Sequence, residues 1–151
     1  MKKLLLTAFV GLCALAAQAT ANITGYWTTI DDETKEAKSV VQIYEYNGAI
    51  YGRVVKLLQN PSARADIPGN PPVLNMDIIW GLKKDDDTYS GGHVLDPQKG
   101  RVYRCEMWRE GNTLVMRGKL GIFWRDQRWQ LNTSYRPTST ATPTPRIPRV
   151  D

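Results

Sequence analysis

The sequence has little of what catalytic and metal sites most often use: it contains one histidine, His93, and two cysteines, Cys13 and Cys105. One histidine excludes multi-histidine metal sites, and two cysteines exclude a disulfide-stapled miniprotein and a cysteine-based zinc finger. His93 has no evident partner for general-base catalysis, so we interpret it as a surface histidine. The carboxylate clusters at 31–33 and 85–87 lack the ligand spacing and the glycine of a calcium loop. The sequence therefore predicts no catalytic residue, no metal site, no cofactor and no enzymatic activity.

Long hydrophobic runs are absent except at the N-terminus, where Lys2 and Lys3 precede an apolar run over 4–17. This run is shorter than a membrane span, and small residues at signal-peptidase spacing follow it. We therefore predict a signal peptide over 1–21 that is cleaved after Ala21, and a periplasmic or secreted protein without a membrane span. Export argues against a nucleic-acid partner, and the 18 basic and 15 acidic residues that remain leave only a small positive excess.

Helical periodicity is also missing, and apolar residues recur instead at every second position from residue 22 to 131. Leu114 and Met116 show this alternation, which is typical of strands with one buried face. Asn47-Gly48 is a strong hairpin signal between two such runs. The pattern predicts eight strands, at about 25–31, 38–46, 49–58, 76–82, 88–95, 101–109, 113–120 and 126–132.

Eight short antiparallel strands with neighbouring connections favour an all-β, eight-stranded up-and-down barrel over residues 22–136, since closure leaves no open sheet edge. A two-sheet sandwich is the alternative. The proline-rich segment 59–75 is interpreted as a lid or binding loop, or else as a disordered crossover. The Thr/Pro-rich segment 137–151 is predicted to be a disordered tail.

Several motifs in this order resemble the DUF2147 family of exported bacterial proteins, over roughly residues 25 to 131. The resemblance implies a lipocalin-like (calycin) barrel and a superfamily habit of binding small apolar molecules, and it supplies no catalytic residue. The motifs are Gly25-Tyr26-Trp27, Ser39–Glu45, Ile50–Leu57, Ile79–Lys84, Tyr89–Pro97, Val102–Cys105, Leu114–Gly118 and Gln127-Arg128-Trp129.

The resemblance also implies that Trp27 closes one end of the barrel and that an arginine from the last strand packs across it. Where relatives often have Trp-x-Arg, this chain has Trp129-Gln130-Leu131. Arg125 or Arg128 is therefore the expected substitute.

A set of aromatic, methionine and aliphatic residues on the predicted inward faces forms the candidate ligand-binding surface. An eight-stranded barrel is just wide enough to be filled by side chains or to hold one small ligand. Glycines within the strands leave room for a small hydrophobic or amphipathic ligand, whereas a dry core would indicate a structural module that binds an envelope protein. The ligand candidates are Trp27, Ile43, Ile78, Trp80, Tyr103, Met107, Leu114, Met116 and Trp129, and the strand glycines are Gly52, Gly91, Gly92 and Gly118.

Two further apolar features have alternative interpretations. Trp108 shares a face with charged residues, and 122–124 is an apolar loop between the last two predicted strands. Either could belong to an interaction patch. Alternatively, an arginine covers Trp108 in a cation–π contact and the loop caps one end of the barrel.

Overall fold

A computed structural model, which describes residues 22–151, shows a closed barrel of eight antiparallel strands. Each strand pairs with its sequence neighbours, and the last pairs with the first. The predicted up-and-down barrel is thus confirmed, and the sandwich alternative is wrong. The predicted signal peptide lies outside the described residues. The strands are β1 (Gly25–Ile30), β2 (Ala37–Tyr46), β3 (Ala49–Leu57), β4 (Asp77–Asp85), β5 (Thr88–Asp96), β6 (Arg101–Glu110), β7 (Thr113–Leu120) and β8 (Phe123–Leu131).

The connections between strands distinguish the two ends of the barrel. At one end, the closed end, two-residue turns join the strands at 47–48, 86–87 and 111–112. Asn47 and Gly48 both have positive φ, 48° and 80°, as a tight hairpin turn with the right twist requires. At the other end, the open end, the connections are 31–36, 58–76, 97–100 and 121–122. The longer loops therefore surround one mouth.

Two strands extend further than their alternation indicates. β4 continues to Asp85, which pairs with Thr88, and β8 begins at Phe123, which pairs with Leu120. Ladder hydrogen bonds continue there although the side chains are charged or solvent-exposed, so the hydrophobic pattern marks only the part of each strand that faces the core.

The segment predicted as a long loop forms a folded lid at the open end. Its backbone is held by the Ala65 amide, which donates to the Pro71 carbonyl at 2.9 Å, and by an isolated bridge between Arg64 and Pro72. Ala65 is fully buried. The Asp66 amide donates to the Pro97 carbonyl at 2.8 Å, which fixes the lid to the β5–β6 turn. The lid interpretation of 59–75 therefore agrees with the structure better than a disordered crossover.

The last part of the chain lies against the barrel without forming a helix or strand. Arg53 donates from Nη2 to the Thr144 carbonyl at 2.8 Å, and the Arg146 amide donates to the Asp77 carboxylate at 2.6 Å. Val150 packs against the buried core. The disorder predicted for residues 137–151 stays a prediction about the chain in solution.

Candidate functional site: a cavity in the open half of the barrel

Trp27 anchors a solid core in the closed half of the barrel. It is fully buried, and its Nε1 donates to the Ile23 carbonyl at 2.9 Å. The guanidinium of Arg109 lies 5.2 Å from the centre of the Trp27 ring, and it also donates to the Asn22 carbonyl at 2.9 Å. A cation over the face of an indole is attracted by the ring quadrupole. Side chains of β2, β4, β6 and β7 fill the rest of this half, among them Ile43, Leu82, Met107 and Leu114.

The arginine over Trp27 is not the one that the family pattern suggests. Arg109 stands at the end of β6, which reaches the closed end beside the segment that precedes β1. Arg128 pairs instead with Glu110 at 2.8 Å, and Arg125 pairs with Asp32 at the open end. The expectation for Arg125 or Arg128 is therefore wrong, because β8 directs these two side chains to carboxylates elsewhere.

A cavity of about 400 Å³ occupies the open half of the barrel. Ligand pockets have volumes of about 300–1,000 Å³, so this space suits one small molecule. Apolar side chains line its inner walls and charged side chains surround its mouth. The inner set includes Val54, Ile78, Val94, Tyr103, Met116 and Trp129, and the outer set includes Asp32, Glu33, Lys38, Arg64, Lys99 and Arg125.

A chain of polar contacts runs along β8 from the cavity wall to its mouth. Nε1 of Trp129 donates to Oε1 of Gln127 at 3.1 Å, and Nε2 of Gln127 donates to the Asp32 carboxylate at 3.2 Å. The same carboxylate oxygen forms an ion pair with Nη2 of Arg125 at 3.0 Å. Residues 125, 127 and 129 alternate along one face of a strand, which is why they form a line. The line fixes the Trp129 ring and ties the β1–β2 loop to β8.

A second polar group lies on the neighbouring strands β1 and β2. The hydroxyls of Thr29 and Ser39 are 2.6 Å apart, and both side chains are buried and border the cavity. Only one of the two hydroxyl protons is used in this contact, so the other is a donor for a ligand or a nearby carbonyl. The pair is a polar site on an otherwise apolar part of the cavity wall.

The structure divides the sequence-predicted ligand residues into three groups. Ile78, Tyr103, Met116 and Trp129 line the cavity, whereas Trp27, Ile43, Met107 and Leu114 are buried outside its lining. Trp80 lies on the outer face, where its ring stacks on the exposed His93 ring at 6.1 Å. Trp80 is on the outer face because the register against β3 shifts between Asp77 and Ile79, which leaves Ile78 and Ile79 both buried on the inner side. A second shift follows between Ile79 and Leu82, which both face inward. Gly81, with φ of 75°, accommodates the irregular step between them.

The strand glycines do not all contribute space. A Cβ on Gly52 would lie 3.0 Å from Cδ1 of Ile43 and 3.1 Å from Cβ of Ile79, so neighbouring side chains already occupy that volume. Gly118 borders the cavity, and a Cβ there would lie 3.5 Å from Cβ of Tyr103, which is ordinary contact. Gly118 is thus the strand glycine at which added side-chain volume would enter the cavity.

Sequence reasoning missed the polar part of the site. Thr29 and Ser39 occupy inward positions in strands with alternating facing. This alternation was the signal that could have placed them inside the barrel. The contacts of Asp32 with Gln127 and Arg125 join residues far apart in the chain, and no local pattern indicates them.

The groups that could support chemistry are placed elsewhere. Cys105 is buried, and burial raises the pKa of its thiol well above the usual range, which makes it a poor nucleophile. His93 is exposed on the outer face. Within residues 22–151, no group of three or more histidine, cysteine or acidic side chains is arranged to hold a metal ion.

Residues 25–131 match the bacterial family described as "Uncharacterized protein conserved in bacteria (DUF2147)". The chain belongs to this family. A solved structure with the same fold is described as "Protein HP1028 from the human pathogen Helicobacter pylori belongs to the lipocalin family". The DUF2147 chain superposes on it with a TM-score of 0.64 and 19% identity, over 75% of this chain and 84% of that one. The lipocalin-like fold is thereby shown.

Two further findings complete the comparison. No curated protein matches this DUF2147 chain in sequence. Over residues 22–151 it has no helix of the length and hydrophobicity that crossing a membrane would take.

Proposed function

We propose that this DUF2147 protein is an exported, non-enzymatic carrier that holds one small hydrophobic or amphipathic molecule in the open half of its barrel. The observation that carries the proposal is the cavity of about 400 Å³, with an apolar interior and a charged mouth. Apolar walls favour burial of a hydrocarbon or ring system, and the polar groups at the mouth would orient its polar end.

Several features support the absence of catalysis. Catalysis needs a nucleophile or base with a positioned partner beside the reacting atoms. The Cys105 thiol is buried in the wall, and the His93 imidazole is outside the barrel. Within residues 22–151, no basic or acidic side chain hydrogen-bonds to the Thr29–Ser39 hydroxyl pair. These placements support a binding role for the cavity.

Export to the periplasm or the medium is part of the same proposal. Its support is the basic and apolar N-terminal segment with small residues before Ala21, together with membership in a bacterial family. An extracytoplasmic protein with one inert thiol also avoids unwanted disulfides.

Native mass spectrometry and a fluorescence titration test the carrier proposal. The protein, purified after expression of the full chain, is examined for bound small molecules and then titrated with a fluorescent fatty acid. Gly118→Leu places a leucine side chain in the cavity and should weaken binding of the probe at least tenfold. His93→Leu adds a leucine on the outer face and is the matched control. Equal affinity of the two variants, or no response of the unmodified protein to any apolar probe, would contradict the proposal.

A second candidate function is that of an envelope interaction module, and one observation favours it. Ile122, Phe123 and Trp124 at the open end are 82%, 75% and 64% exposed. Such a cluster is unusual on a monomer and marks a contact surface. Crosslinking in intact cells, with and without Phe123→Ser/Trp124→Ser, would reveal a protein partner at this place.

A further inference from the structure

The turn between β7 and β8 projects an apolar tip beyond the rim of the barrel. This apolar tip comprises residues 120–124, in which Leu120 pairs with Phe123 and Lys119 pairs with Trp124. The side chains of Leu120, Ile122, Phe123 and Trp124 are all exposed. The tip therefore does not cap the cavity, as one interpretation of the sequence suggested, and none of these four side chains is buried by the described chain.

The tip is small and closed by strand pairing. Gly121 has φ of 60°, which allows the two-residue turn, and the ladder continues to its last pair. Backbone groups at a paired hairpin end are largely satisfied internally, so inserting this element into an apolar phase does not require extensive desolvation of free amides. Tryptophan and phenylalanine at the end of such an element suit the boundary between lipid headgroups and acyl chains.

The strands that carry the tip also carry the positive charge of the molecule. Residues 101–131 contain seven arginine and lysine side chains and three carboxylates. The rest of 22–151 contains eleven arginine and lysine side chains and twelve carboxylates. The net positive charge of residues 22–151 thus comes entirely from β6, β7 and β8. Arg109 and Arg128 lie toward the closed end, whereas Arg101 and Arg104 lie toward the tip. Basic side chains next to an apolar tip are complementary to an anionic lipid surface.

Two arginines beside the tip are available to bind headgroups. Arg104 donates from Nη2 to the Gly121 carbonyl at 3.2 Å, directly at the turn, and its side chain is exposed. Arg101 is also exposed and lies further toward the open end of β6. Neither forms an ion pair with a carboxylate of residues 22–151, whereas Lys119 pairs with Glu106.

On the outer face below the tip, an arginine side chain contacts two indole rings. The Arg117 guanidinium lies 4.9 Å from the Trp108 ring centre and 5.6 Å from that of Trp124, and it also pairs with Asp126. These contacts hold Trp124 at the edge of the tip. They also agree with the interpretation that an arginine covers Trp108.

We propose that the apolar tip and the flanking Arg101 and Arg104 dock the protein on an anionic membrane surface, with the open end of the barrel facing the lipid. Met116 and Gly118 of β7 line the cavity, and Leu120 is the next residue of the same alternation, at the tip. Docking places the mouth against the bilayer, where an apolar ligand is abundant. The docking surface itself does not depend on whether the cavity binds a ligand.

Vesicle flotation tests the proposal, with protein whose N-terminus has been verified by mass. Vesicles contain phosphatidylethanolamine with phosphatidylglycerol, or phosphatidylcholine alone. The protein should float with the first and bind the second at least tenfold more weakly. Phe123→Ser/Trp124→Ser should lower binding to anionic vesicles by more than tenfold, because two exposed apolar side chains are removed. Arg101→Gln/Arg104→Gln should lower it about 25-fold, since each basic residue near an anionic surface contributes about fivefold.

Matched controls separate the surface from general effects of charge and hydrophobicity. Lys83→Gln/Lys84→Gln removes two charges near the closed end, and Ile147→Ser removes an exposed apolar side chain from another region. Both should float like the unmodified protein, and so should Gly118→Leu, even if the carrier proposal fails. Absence of binding to anionic vesicles, or equal binding of Phe123→Ser/Trp124→Ser with an unchanged melting temperature, would overturn the proposal. A dimer in solution that this double variant dissociates would also overturn it, by assigning the tip to a second copy.

Discussion

The side chains of Asp77 and Arg53 form a two-point ion pair on the outer face of β3 and β4. Nε of Arg53 donates to Oδ1 of Asp77 at 2.9 Å, and Nη2 donates to Oδ2 at 3.2 Å. Asp77 is fully buried although it belongs to the outside of the barrel. The Tyr44 hydroxyl, at 3.0 Å, and the Arg146 amide also donate to this carboxylate. One buried anion therefore holds together two strand pairs and the last part of the chain.

Removing this anion should destabilise the protein strongly. Asp77→Asn keeps the size of the side chain but leaves the Arg53 guanidinium without its counterion in a mostly buried place. We expect the free energy of unfolding in urea to fall by about 3 kcal/mol, as for other broken buried ion pairs. Asp126→Asn, which breaks an exposed pair with Arg117, is the control and should cost about 1 kcal/mol or less. Equal losses would show that Asp77 behaves as a surface charge.

The docked end of the chain should contribute to stability as well. A chain that ends at residue 143 lacks the Thr144 carbonyl and the Arg146 amide that bind Arg53 and Asp77. Loss of a hydrogen bond to a buried charge costs about 1.5–3 kcal/mol, and we expect a decrease of this size in urea unfolding. A full-length chain with Ile147→Ser keeps both backbone contacts and is the control. Unchanged stability of the truncated chain would favour the disordered tail that the sequence predicts.

Tyr44 should make the protein sensitive to alkaline pH. Burial, and then the neighbouring Asp77 carboxylate, raise the pKa of the Tyr44 hydroxyl well above its ordinary value of 10.0. The fold therefore keeps the proton that the unfolded chain releases, so the stabilisation is complete below about pH 10 and declines as the pH rises further. Between about pH 10 and 12, the free energy of unfolding should fall less steeply in Tyr44→Phe than in the unmodified protein. Tyr51→Phe, whose ring stacks on Tyr44 at 5.7 Å, is the control. Equal slopes for Tyr44→Phe and the unmodified protein would contradict the linkage.

Cys105 should resist alkylation until the barrel unfolds. Its side chain is 3% exposed, and burial raises the pKa of the thiol, so neither access nor thiolate is available. We expect no mass increase with iodoacetamide at about pH 8 in buffer and complete modification in urea. Ser134→Cys places a second thiol at an exposed position and should react in buffer. Rapid labelling of Cys105 in the folded protein would show that β6 opens locally.

The sequence predicts the barrel well because local signals and the global fold agree there. Alternating apolar residues identify every strand, and Asn47-Gly48 fixes a hairpin whose two turn residues have positive φ. The irregular step between Asp77 and Ile79 escaped this reasoning, because an extra residue in one strand reverses the facing of those beyond it. As a result, Trp80 lies on the outside next to His93.

The candidate site is less predictable, because its polar part depends on contacts between distant segments. Arg109 covers Trp27 because the end of β6 lies beside the segment that precedes β1, and a linear pattern does not reveal this neighbour. How much of the barrel interior is filled by side chains also depends on contacts between distant segments. Whether Gly52 or Gly118 borders empty space depends on Ile43 and Ile79, which extend from other strands toward Gly52.

The seam between the first and last strands has a mechanical consequence. β1 and β8 pair in register at Trp27↔Leu131 and Thr28↔Gln130, near the closed end. Toward the rim, Thr29 and Ile30 have no ladder partner on β8 within the part of the chain described, and only side chains bridge the gap. Backbone pairing thus joins β1 to β8 near the closed end of the barrel but not at its rim. The rim can therefore widen along this join without breaking a ladder hydrogen bond between β1 and β8.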